Sequence, residues 1–132
     1  MKRAYLMVVD HDVPARERLT RWLRSSGYVV CSAASADEAL ELLCAAGRLP
    51  DMIFVADAIP EATALYPTLM RSASLSKIAY LIIAARGHDF AVLRPGSSTE
   101  RIFDPRSLTQ LIDRIVIPTR FAPISERRAL RA

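Results

Sequence analysis

The chain has 132 residues, 52% of them hydrophobic, which suits one domain with one sizeable core. Its net charge of +4 is concentrated at the end, where Arg120, Arg127, Arg128 and Arg131 outnumber Glu126, so the body is nearly neutral. Scattered cations among acids argue against a nucleic-acid groove, and the apolar run after Met1-Lys2-Arg3 stops at Asp10, too short for a signal-peptide core or membrane span.

Ala4 to Val9 is unbroken apolar sequence ending in Asp10-His11-Asp12, as expected of a strand buried on both faces of a parallel sheet. After Pro14, the spacing of Leu19, Trp22 and Leu23 among Arg16, Glu17, Arg18, Arg21 and Arg24 predicts an amphipathic helix stopped by Gly27, with Trp22 read as core. Tyr28 to Ala33 reads as a second strand. Ser35, with Glu38 three residues on, forms a capping box that opens a helix over residues 36–46, ended by Gly47. Its apolar positions are Ala36, Ala39, Leu40, Leu43 and Cys44. Pro50-Asp51 introduces a third strand from Met52 to Ala56; a weaker helix covers Ala62 to Arg71; Ile78 to Ala84 is a fourth strand.

Between Arg86 and Arg101 periodicity fails: Arg94 to Thr99 reads as a loop, and within the stretch only Phe90 to Leu93 could be a strand. Asp104-Pro105 opens a last helix, Arg106 to Ile117, with Leu108, Leu111, Ile112 and Ile115 on one face. Residues 1–118 are thus read as one domain and 119–132 as a tail or linker to an effector. The alternation of strand and helix implies an α/β fold, a parallel sheet with helices on both faces and a functional site beyond the carboxyl ends of the strands. With two cysteines, Cys31 and Cys44, no CxxC and no clustered histidines, no structural metal is expected, and both thiols are read as packing like small apolar side chains in a reducing cytoplasm.

In order and spacing, Val8-Val9-Asp10-His11-Asp12, Pro14, Leu19, Leu23, Gly27-Tyr28, Ala33, Glu38-Ala39-Leu40, Pro50-Asp51, Pro60, Ala84-Ala85-Arg86-Gly87 and Phe103-Asp104-Pro105 together resemble the bacterial response-regulator receiver domain, CheY-like and flavodoxin-like in fold. The resemblance runs from Leu6 to about Val116. It implies a three-layer α/β/α domain with a five-stranded parallel sheet of order 2-1-3-4-5. The family's fourth helix is expected to be shortened or missing here.

In that family an aspartate ending the third strand accepts a phosphoryl group, beside a magnesium ion held by an acidic pair after the first strand. The chemistry needs a carboxylate nucleophile, hard oxygen ligands, and cationic or hydroxyl donors on the phosphoryl oxygens. Here the acidic pair aligns with Asp10 and His11, an imidazole that suits softer metals, while Asp12 lies one position late. Six residues after Pro50 and four before Pro60, the acceptor position holds Ala56, and the switch hydroxyl is replaced by Ala84. The family lysine aligns with Arg94, followed by Pro95, or with Arg101; the first is preferred.

Asp57, one residue past the acceptor, could serve as a slipped acceptor or join Asp10, His11 and Asp12 in a small metal site; its plainer reading is a turn cap, and that of Asp12 a cap on the first helix. His88 beside Asp89 reads as a surface loop, and Arg94 and Arg101 as solvated unless the vacated pocket takes an acidic group. The resulting expectation is a cytoplasmic pseudo-receiver, not an enzyme, with no cofactor and no bound magnesium. It would work through protein contact: a histidine kinase, an effector domain, another regulator or a second copy of itself, with no membrane and no direct nucleic acid. Alternatives are a conventional phosphoaccepting receiver using Asp57, and a sensor of a small ligand in the emptied pocket floored by Ala56 and Ala84.

Overall fold

The computed structural model describes residues 4–45, 47–57, 59, 62–86, 89–93, 99–102 and 105–121. Within them the chain runs β1 (Tyr5–Val9), α1 (Val13–Ser25), β2 (Val29–Ala33), α2 (Ala36–Ala45), β3 (Met52–Ala56), α3 (Ala62–Met70), a 3-10 turn (Leu75–Lys77), β4 (Ala79–Arg86), β5 (Asp89–Leu93), β6 (Thr99–Ile102) and α4 (Pro105–Phe121). One sheet holds the strands in the order β2-β1-β3-β4-β5-β6. β1 lies parallel to both β2 and β3, and β3 parallel to β4. Helix–strand alternation with right-handed crossovers builds this part, as the apolar runs anticipated.

Side-chain alternation along the buried strands divides the core. Leu6, Val8, Met52, Phe54, Leu81 and Ile83 pack under α1 and α4, against Leu19, Leu23, Leu108, Leu111 and Ile112. The intervening Met7, Val9, Ile53, Val55 and Tyr80 pack under α2 and α3, against Ala36, Ala39, Leu43, Leu65 and Leu69. A three-layer α/β/α fold results.

Local chemistry sets the element ends. α1 closes in a Schellman motif: the N–H of Gly27, at φ 96°, donates to the Arg24 carbonyl at 3.0 Å and that of Tyr28 to the Leu23 carbonyl at 3.3 Å. The cap of α2 forms as its sequence suggests, the Glu38 N–H donating to Ser35 Oγ at 3.1 Å, although Glu38 Oε2 accepts from Ala34 rather than from Ser35. α3 is short because Pro67 lies inside it and removes one ladder donor. Asp51, entering β3, accepts the Tyr5 N–H at 2.8 Å and lies 3.8 Å from Arg48, whose guanidinium covers the Tyr5 ring.

Three expectations are corrected. Cys31 is half-buried, but Cys44 is exposed instead of packed, because the buried stripe of α2 runs through Ala36, Ala39 and Leu43. β5 is antiparallel to β4, since only residues 87–88 separate them and a parallel return needs a long crossover. β6, antiparallel to β5, adds a sixth strand in the region read as loop. With β4 running directly into β5, no helix separates them, as expected of the family's fourth helix. α4 continues past Ile117 to Phe121; the remainder of the tail, residues 122–132, lies outside the described residues.

Candidate functional site

The carboxyl ends of β1, β3 and β4 meet at one edge of the sheet, where the loops leave the core. Asp10 follows β1 and its N–H donates to the Ala33 carbonyl at 3.0 Å, holding the acidic corner against β2. Its Oδ1 accepts the Asp12 N–H at 3.0 Å, and its carbonyl accepts from Arg16 Nη1 at 2.9 Å. His11, with 59% of its side chain exposed, places Nδ1 3.9 Å from Asp10 Oδ1, an ion pair when the imidazole is protonated.

Asp12 occupies the N-cap position of α1 but makes no side-chain cap bond. Pro14, in the first turn, has no N–H to offer one of the two usual donor positions. The Asp12 carbonyl accepts the Arg16 N–H at 2.9 Å, the first bond of the helical ladder.

Ala56 is the last residue of β3, opposite Ile83, and is 7% exposed. Its carbonyl accepts the Ile59 N–H at 3.2 Å, so the chain turns at once. Ala84, also 7% exposed, follows Ile83 in β4. Ala56 thus ends β3 with a methyl group and Ala84, one residue past its partner Ile83, carries another, and neither can accept or donate a hydrogen bond. Asp57 extends the β3 ladder by one residue, its N–H donating to the Ile83 carbonyl at 3.0 Å, and it is exposed. Asp57 is not gathered with Asp10, His11 and Asp12: among the described residues no three His, Cys, Asp or Glu side chains converge as a metal would require.

β5 runs away from the carboxyl ends of the parallel strands and reaches Leu93 level with Ile82, so the preferred pairing of Arg94-Pro95 with the end of a parallel strand fails; Arg94 itself, like His88, lies outside the described residues. β6 runs in the sense of β4 and leads toward α4. Its register pairs Arg101 with Ala91, which pairs with Ala84, so Arg101 shares a row with the hydroxyl-less position, two strands away.

At β5 it was the antiparallel direction that was missed. Two apolar runs, Ile78 to Ala85 and Phe90 to Leu93, separated by a short connection led by Gly87, carry the hairpin signal that would have found it. β6, only Thr99-Glu100-Arg101-Ile102, is too short and polar to announce itself.

No protein-family model and no curated protein matches the sequence. Solved structures do. A putative response regulator from Chloroflexus aurantiacus superposes with TM-score 0.64 at 22% identity over 88% of this chain and 99% of that one. The Vibrio cholerae chemotaxis protein CheY4 gives 0.66 at 19% identity, covering 86% and 98%. The signal receiver domain of a histidine kinase from Syntrophus aciditrophicus gives 0.57 at 20% identity, covering 83% and 71%. Structural neighbours of this chain are thus response-regulator receiver domains, and its doubly wound α/β architecture is the CheY-like, flavodoxin-like fold.

Proposed function

We propose that the chain is a receiver-like signalling module that works by protein contact without being phosphorylated, and that it is not an enzyme. The observation that carries this reading is that β3 ends in a buried alanine, Ala56, and that β4 carries a second, Ala84, one residue past the partner of Ala56. An acyl phosphate needs a carboxylate oxygen, and an alanine offers none. Magnesium is poorly served as well: Asp10 Oδ1 already accepts a backbone N–H, and the adjacent side chain is an exposed imidazole. Without an acceptor, a hydroxyl and a paired carboxylate, phosphorylation has no differential contact through which to shift a population.

Support for a protein partner is more general. One neighbour is a receiver domain belonging to a histidine kinase, so the fold does occur beside signalling partners in that protein. For this chain the partner would be a kinase, an effector domain, another regulator or a second copy, engaged in the ground state. Among the described residues no helix is long and apolar enough to cross a membrane, which suits a module that meets its partner in solution.

Incubation with acetyl phosphate and magnesium, read by intact mass, tests the proposal. Unmodified protein is expected; an added phosphoryl group abolished by Asp57→Asn would instead establish a slipped acceptor and overturn it.

A further inference from the structure

Away from the loop corner, an open cleft of about 280 Å³ lies between α1 and the outer strand β2, lined by Arg16, Glu17, Thr20, Arg21, Arg24 and Ser32. Positions 16, 20 and 24 form one stripe of α1 at four-residue spacing, with 17 and 21 beside it. Ser32 faces them from β2, on the same side of the strand as the buried Val30.

Two features separate this cleft from an ordinary solvated helix face. Three arginines share it with a single carboxylate, yet among the described residues none of the three stands in an ion pair, although Glu17 and Arg21 have the spacing to form one. Two of them are instead braced by main chain: Arg16 Nη1 donates to the Asp10 carbonyl and Arg24 Nη2 to the Val30 carbonyl, each at 2.9 Å. Each brace uses one N–H of a five-donor fork and fixes the direction of the others. The second feature is Thr20. It is 7% exposed, and its Oγ1 is buried with no hydrogen-bond partner among the described residues. A helical threonine ordinarily donates to the carbonyl one turn back. Thr20 lines the cleft, so rotation about χ1 would turn an unmet donor toward whatever fills it.

We propose that this cleft binds the phosphate of a small phosphomonoester. Three guanidinium groups strung along the stripe, with the hydroxyls of Thr20 and Ser32 among them, line the cleft with donors, and the excess positive charge suits a dianionic, tetrahedral oxyanion better than a single carboxylate. The cleft is several times a water's share of liquid volume, roughly 30 Å³, which leaves room for the alcohol part of the ester. Glu17, the one carboxylate in the lining, would accept from a hydroxyl of that part. The site shares no side chain with the Ala56–Ala84 corner and stands whether or not the preceding reading does.

Amide chemical-shift titration of the whole chain with inorganic phosphate, glycerol phosphate and adenosine monophosphate, each against sodium chloride at equal ionic strength, tests it. Saturable shifts at residues 16–24 and at Ser32 are expected, with the esters tighter than inorganic phosphate. Arg21→Gln and Thr20→Val should each weaken ester binding about tenfold, one charge-assisted hydrogen bond's worth. Thr20→Val keeps the side-chain shape and removes an unmet hydroxyl, so its melting temperature should hold or rise while its affinity falls, which rules out misfolding as the cause. Shifts reproduced by chloride, or affinity indifferent to both substitutions, would overturn the site; equal affinity for inorganic phosphate and both esters would overturn the ester assignment.

Discussion

Tyr5 and Tyr80 carry the residue-scale chemistry that a titration can read. The Tyr5 phenol donates to Cys31 Sγ at 3.2 Å, and that bond, with burial, pushes its pKa from 10.0 up to about 12. Tyr80, packed beside the Tyr66 ring, is pushed to about 12 by burial. Both shifts favour the protonated phenol in the folded chain. Their stabilisation is therefore fully present below pH 10 and is lost as pH rises through the folded values near 12. Ultraviolet titration should show Tyr5 and Tyr80 ionising late, with stability in urea falling across that window. Tyr5→Phe should remove one late step; an unchanged number of late steps in that variant would refute the assignment. At this scale much of the candidate site was legible: Ala56 could be placed from Pro50 and Pro60 because strand length is nearly constant in a fixed fold. The thiol partner of Tyr5 could not be placed, since that contact depends on the register of β1 against β2, which sequence does not print.

Among the elements, α1 ties most of the features together. It carries the N-cap beside the acidic corner, one wall of the cleft, and the Schellman turn that sends the chain into β2. Gly27 is the position where that turn depends on residue type, because its φ of 96° lies where a Cβ meets the following carbonyl. Gly27→Ala should cost about 1–2 kcal/mol, seen as a lower midpoint in urea at unchanged slope. An unchanged midpoint would mean that the turn relaxes freely. The apolar periodicity of α1, α2 and α4 was legible because each buries a single stripe. α3 was readable only weakly, its interior Pro67 interrupting the pattern that identifies a helix.

Across the whole molecule, the half built by crossovers was readable and the half built by hairpins was not. Parallel strands buried on both faces announce themselves as apolar runs, and right-handed crossovers then fix their order. β5 and β6 carry shorter and more polar sequence, and strand direction there follows from connection length, which is easily passed over when a fifth parallel strand is expected. The end of α4 was likewise underestimated, because its helix persists beyond the last apolar position of its buried face.

On the proposed reading, the intercalated β5 makes a departure from phosphotransfer hard to reverse. In a 2-1-3-4-5 sheet the fifth-strand cation stands two strands from the third-strand acceptor, whereas here β6, which runs in that sense, stands three away, about 4.8 Å further. A variant combining His11→Asp, Ala56→Asp and Ala84→Thr would regain the missing carboxylates and hydroxyl and should gain magnesium affinity by calorimetry. It should still fail to hold a stable beryllofluoride adduct, and stoichiometric adduct formation would show that the extra strand is no obstacle. Point changes can restore side chains one at a time, but no sequence of them withdraws a strand from the middle of a ladder. The topology acts as a ratchet, so that any ancestor able to accept phosphate would be separated from this chain by a segment rearrangement, with substitutions alone leading only part of the way back.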